Sequence, residues 1–216
     1  IFLAMTAAGG SEQLSVLVFF GAKVNALIVA GQYWRLLTAN FIHIGLVHLL
    51  FNSYALYVFG ADVEGRFGQS RFVVLYLLCG LSGSVLSFLG NEALSAGASG
   101  AIFGLVGAII VYYFTYRQEF GRSGRRQLMN LLLVAAYNLI WGFVGAGIDN
   151  WGHIGGLLGG LALGWAFCPR YRVRYEADLG QYTLVDAPHR LRAWGLALGW
   201  ATLLVISTAW GVLARR

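Results

Sequence analysis

The feature that most constrains this chain is a series of apolar stretches interrupted by only a few charges. They lie near 1–8, 43–63, 72–90, 98–116, 127–145, 150–168 and 192–213. Several reach the roughly 20 residues that cross the hydrocarbon core of a bilayer. Lipid offers no partner to a backbone N–H or C=O, so spanning segments must be helices or a closed barrel. No two-residue alternation is long enough for a barrel. Charged residues make up only 11% of the chain, against about a quarter in soluble domains. The sequence therefore predicts an all-α fold, a polytopic transmembrane helical bundle. With two prolines and no low-complexity linker, 1–216 reads as a single domain. The opening stretch is too short to span and lacks the basic start of a signal peptide. It reads as the tail of a first helix that starts upstream. The connection 9–42 is broken by Gly and polar residues and reads as interfacial.

The net charge of +6 points to orientation, not to nucleic acid. Eleven of the fifteen Lys and Arg residues fall in the connections 64–72, 117–127 and 169–192. The positive-inside rule makes these cytoplasmic. The second, fourth and sixth segments then all run inward from the outer face. Cys79 and Cys168 both sit in apolar runs, where buried thiols are the plain reading and no metal motif or disulfide framework follows.

Polar residues collect at the outer ends of those three inward-running segments. The second carries His43, His48 and Asn52 in HIGLVHLLFN, the fourth Ser99 in GASG, and the sixth Asp149, Asn150 and His153 in DNWGHIGG. Taken singly, each has a bland reading. A serine commonly bonds to its own preceding turn, His48 and Asn52 could tie helices together, and Asp149 with Asn150 reads as a helix cap. Together they fit acyl transfer. Ser99 is a nucleophile once a base takes its proton, and His153 is the available base. His48, Asn52 and the Ser99 backbone N–H could stabilise an oxyanion. Asp149, four residues before His153, could face it, but a Ser–His dyad is the expected unit. Gly97, Gly100, Gly104 and Gly107 on the fourth segment, with Gly152, Gly155, Gly156, Gly159 and Gly160 on the sixth, would let two backbones approach closely enough to join serine and base.

At these residues the chain resembles the rhomboid family of intramembrane serine proteases. The resemblance rests on GASG with Ser99, on the histidine–asparagine pattern of HIGLVHLLFN, on GHIGG with His153, and on YWR with Trp34 and Arg35. It implies a six-helix core, here followed by a seventh C-terminal transmembrane helix at 192–213. It also implies cleavage of transmembrane segments of membrane-protein substrates near the outer face. Ser99 would be nucleophile, His153 general base, and His48 and Asn52 oxyanion donors. Phe103 would pack on the base, and His43, Gly97, Gly100, Gly156 and Glu64 would be supporting positions. No metal or cofactor is implied; the expected partners are transmembrane substrates and the lipid bilayer, with no nucleic acid. Gly152 stands where alanine is usual. A bacterial cytoplasmic membrane is the expected location, although organelles also hold such proteins. Two other readings differ in class. A catalytically dead relative that binds membrane segments would typically lack the serine or the histidine, and both are present. A transporter would want charged residues at mid-bilayer or broken helices in repeated halves. Access for substrate could run past the second or fifth segment or the loop at 145–150.

Overall fold

The computed structural model describes residues 1–145, 147–176, 178, 180–186 and 190–216. Four short helices, α1 (Phe2–Ala7), α2 (Leu14–Phe20), α3 (Asn25–Val29) and α4 (Arg35–Thr38), precede the bundle. The next span runs from Gly45 to Phe67 as α5 (Gly45–Ala55), a wide π-type turn at Leu56–Gly60, and α6 (Ala61–Phe67). Then come α7 (Gln69–Gly90), α8 (Ser99–Thr115), α9 (Gly121–Val144), α10 (Asn150–Phe167) and α11 (Arg190–Leu213). The segment boundaries read from hydropathy hold to within a turn or so, α9 starting six residues earlier than the apolar run alone suggests. Its first turns carry Arg122, Arg125 and Arg126, which a helix accepts and an apolar window does not.

Among the described residues four helices are long and apolar enough to cross a bilayer: Gly45–Phe67, Gln69–Gly90, Gly121–Val144 and Leu191–Leu213. The chain is a multi-pass membrane protein with a helical bundle. Helix α8, at 17 residues, rises about 25 Å, short of the roughly 30 Å hydrocarbon thickness. It forms the centre of the bundle together with α7 and α10. The reason is compositional. A side chain on Gly156 of α10 would run into the Gly100 carbonyl of α8, and one on Gly160 into that of Gly104. On α7, a Cβ at Gly83 would sit 2.7 Å from the Gly152 carbonyl. Without hydrophobic drive between helices in lipid, such backbone proximity and its dispersion contacts are what hold spans together. Helix α11 lies outside this trio, and its Trp200 Nε1 donates to Ser82 Oγ of α7 at 2.9 Å.

The 9–42 connection, read as interfacial, folds into α2, α3, α4 and a tight turn at Ala39–Phe41. The 169–192 connection holds an antiparallel hairpin of β1 (Tyr171–Glu176) and β2 (Gln181–Asp186), pairing Tyr171 with Asp186 and Glu176 with Gln181. Sequence reading took that stretch only for its arginines. The hairpin sits at the arginine-rich end. Arg71 pairs with Asp186 at 2.6 Å, Arg66 donates to Tyr113 Oη at 2.8 Å, and Tyr116 Oη to the Pro169 carbonyl at 2.6 Å.

Candidate active site

At the opposite end of the bundle, His153 Nε2 lies 2.9 Å from Ser99 Oγ. Two helix starts produce this contact. Ser99 is the first residue of α8, and His153 sits in the first turn of α10. The glycines that let α8 and α10 touch set the depth at which the two side chains meet. The imidazole stacks on Phe103, one turn along α8, with ring centroids 4.3 Å apart and planes 11° from parallel. The ring is thus fixed by an aromatic face and a hydroxyl.

The other imidazole nitrogen answers whether a third residue joins the pair. His153 Nδ1 is buried and has no hydrogen-bond partner among the described residues. Asp149 is instead the N-cap of α10: its Oδ1 accepts from the Gly152 N–H at 3.0 Å and from Asn91 Nδ2 at 3.1 Å. Asn150, paired with Asp149 as a cap in the sequence reading, reaches across to α9, where its amide donates to the Leu139 carbonyl at 3.0 Å.

The second helix places its polar residues on the same site. His48 Nδ1 accepts the Ile44 N–H at 3.2 Å. An accepting Nδ1 leaves the ring proton on Nε2, which makes that nitrogen a donor. This Nε2 points at Gly97, where an added Cβ would stand 2.8 Å from it. Gly97 also has a φ of +132°, a region side chains avoid, so both the ring and the backbone turn require glycine here. Asn52 is buried, and its amide donates to the His48 carbonyl at 2.9 Å. The N–H groups of Ser99 and Gly100 belong to the first turn of α8, where helical acceptors are lacking. His43 is buried with its ring centroid 5.3 Å from that of His48, and its Nε2 has no partner among the described residues.

Ser99, His153, His48, Asn52 and Phe103 all line one cavity of about 550 Å³. Its walls come from α5 (Phe51, Ala55), α8 (Ile102, Val106) and α9 (Val134, Asn138), with Ile148 and Gly147 above. Gly100 lines it beside the serine, whereas Gly156 stands behind, in the α8–α10 contact. Of the 145–150 loop, residue 146 lies outside the described residues.

Other residues singled out in the sequence lie elsewhere. Trp34 and Arg35 are in the outer connection. The Arg35 guanidinium donates to the Val18 and Ala22 carbonyls at 2.8 and 2.9 Å and covers the Trp34 ring at 4.6 Å. That ties the end of α2 to α4. Glu64 is exposed at the arginine-rich end, where its neighbour Asp62 takes the ion pair with Arg66 at 2.8 Å. Sequence reasoning passed over Lys23, which is fully buried behind the site. It is the one lysine among fourteen arginines, but its place in the mixed-polarity connection 9–42 gave no sign of burial.

Comparison with known proteins places the chain in one family. Residues 30–170 match the Rhomboid domain family model. Rhomboid protease GluP of Bacillus subtilis (strain 168) is 45% identical over 161 residues, 74% of this chain and 31% of that protein. RHOMBOID-like protein 1 of Arabidopsis thaliana is 34% identical over 208 residues, 93% of this chain and 52% of that one. The chloroplastic RHOMBOID-like protein 9 of the same plant is 34% identical over 157 residues, covering 72% and 36%. The chain spans about a third to a half of the length of the curated relatives it matches.

Proposed function

The chain belongs to the rhomboid family, and from that premise we propose that it is an intramembrane serine endopeptidase cutting transmembrane segments of membrane proteins. The observation that carries the reading is the 2.9 Å contact between His153 Nε2 and Ser99 Oγ at the mouth of an apolar cavity. Ser99 Oγ attacks the scissile carbonyl carbon while its proton passes to His153 Nε2. The carbonyl electron pair moves onto oxygen, where His48 Nε2–H, the Asn52 amide and the Ser99 N–H are the donors. Collapse of the intermediate breaks the C–N bond, and the leaving amine takes the proton from His153. Water then repeats the sequence on the acyl-enzyme and frees the serine. Asp149 takes no part in the proton transfer: its Oδ1 is committed to the cap and to Asn91, and His153 Nδ1 has no hydrogen-bond partner among the described residues. Every proton and electron pair moves among Ser99, His153, substrate and water, so no metal or cofactor is needed.

Substrate reaches the site sideways in this reading, between α5 and α9. Phe51 of α5 is 72% exposed and Tyr137 of α9 is 67% exposed, and both helices line the cavity. The rim faces the outer side of a bacterial cytoplasmic membrane, since the arginine-rich end is the inner one. The short rise of α8 would put Ser99 below the outer surface rather than at it.

A fluorophosphonate probe tests the chemistry without a substrate. It should label Ser99 in the wild-type protein and fail to label Ser99→Ala and His153→Ala variants that retain the wild-type melting temperature. Equal labelling of His153→Ala would remove the general base from the mechanism.

A further inference from the structure

Behind the site, Lys23 is fully buried, among the largest side chains that are so in the described residues. Its ammonium donates to the carbonyls of Asn91 and Ala93, each at 2.9 Å, and to that of Ser87 at 3.4 Å. These carbonyls close α7 and begin the segment that leads to Ser99. The Lys23 backbone pairs with Ser95 in the same segment, N–H to carbonyl at 2.9 Å and carbonyl to N–H at 3.2 Å. On its other side, Asn91 joins the ammonium to the cap of α10: its carbonyl accepts from Lys23 and its amide donates to Asp149 Oδ1. Asp149 Oδ2 is buried without a hydrogen-bond partner among the described residues; the Lys23 charge acts on this carboxylate across Asn91, not through a direct ion pair, and adds to the Gly152 N–H and the nearby Ser87 and Ser95. An unbalanced carboxylate there would be costly.

We infer that Lys23 and Asp149 form a buried positioning pair that holds the Ser99 segment and the His153 helix in register, so that both side chains meet in reacting geometry. The inference rests on the proposed function and adds two positioning residues to it. Neither touches the reacting atoms. Lys23 fixes the strand-like run 91–95, four residues before the nucleophile. Asp149 fixes the first turn of α10, whose fourth residue is the base, through its side chain to Gly152 and its carbonyl to the His153 N–H at 3.1 Å. The charged groups around the lysine are Asp149, Glu92 and Arg215. Glu92 is shared between Asn25 Nδ2 at 2.9 Å and Arg215 Nε at 3.1 Å. Arg215, from the end of α11, also takes the Phe88 carbonyl at 2.8 Å.

Burial pushes the Lys23 ammonium down to about 8, against the pull of Asp149 and Glu92. This separates a positioning role from a merely structural one. Between pH 8 and the ordinary lysine value near 10.5, the unfolded chain holds the proton that the folded chain has released. Stability therefore gains from this group as pH rises through that window. The pair with Asp149 is lost over the same window. Thermal stability and reactivity should move in opposite directions.

The experiment is the rate of Ser99 acylation by a fluorophosphonate, per folded molecule, from pH 6 to 10, with melting temperatures measured in parallel. In the wild-type protein the rate should fall above pH 8 while the melting temperature does not. Lys23→Met and Asp149→Asn should each slow acylation about 10- to 100-fold, the scale of a small misplacement of reacting groups. The double variant should be no slower than either single one. Arg66→Gln, at the far end of the bundle, should lower stability without slowing acylation. An alkaline limb that is absent from the wild-type profile overturns the inference even where Lys23→Met fails to accumulate. So do variants that acylate at the wild-type rate, or losses that add. A wild-type protein that never labels takes the proposed function down first and this inference with it.

Discussion

The two flanks of the cavity are built in opposite ways. On one flank α7, α8 and α10 meet through glycine, with backbone against backbone and polar groups pinned behind them. On the other, α5 and α9 present Leu50, Phe51, Tyr137 and Ile140 outward, each more than half exposed. Ala135 is buried on the inner face of α9, and the Asn150 amide is the described side-chain bond that ties α9 to α10. Under the proposed function, holding two groups within a fraction of an ångström while admitting a membrane helix needs both kinds of wall. Precision then belongs to the flank that carries Ser99 and His153. Adaptability belongs to the flank proposed to face the substrate.

Substitutions should expose this division, and the largest effect is chemical. Ser99→Ala should lower cleavage by roughly 10⁶-fold, the scale seen when a hydrolytic nucleophile is removed, with no change in melting temperature. Gly156→Val comes next and attacks the rigid flank itself. Its side chain meets the Gly100 carbonyl, so it should abolish cleavage and also destabilise by about 1–3 kcal/mol or more. If Gly156→Val cleaved normally, the tight flank would not set the geometry. Asn52→Ala should cost roughly 10²- to 10³-fold in kcat with little change in KM, as expected of an oxyanion donor. On the loose flank, Tyr137→Ala should change stability by about 0.5 kcal/mol or less, as for exposed positions. Its effect should be on which substrates are cut, measured as ratios of kcat/KM across a substrate series. A large melting shift there would break the contrast between the flanks. Smallest of all, Arg71→Gln should remove a partly exposed ion pair with Asp186, worth about 0–1 kcal/mol, and leave cleavage unchanged.

Much of the site was legible because its residues are costly in lipid. A histidine, serine or asparagine inside an apolar run stands out, and three such clusters on helices of one direction imply a meeting point. The paired glycines were legible through their helical spacing, and Phe103 only through the family resemblance. Lys23 was not, because it lies in the mixed-polarity connection 9–42, where a lysine is unremarkable until its burial is seen. The hairpin was also missed, since YRVRYE and QYTLVD alternate over only six residues each, and its arginines already had an explanation as orientation signals.

By itself, the sequence determined that this chain belongs in a membrane and which few polar side chains could do chemistry. Those properties follow from transfer free energies, and these depend on residue type and order. Tertiary structure alone decided that His153 Nδ1 has no partner among the described residues, that the Asp149 side chain caps α10, and that a lysine from the first connection stands behind α8 and α10. Such outcomes depend on distances between segments far apart in the chain, and contact geometry at that scale is set only when the helices close on one another.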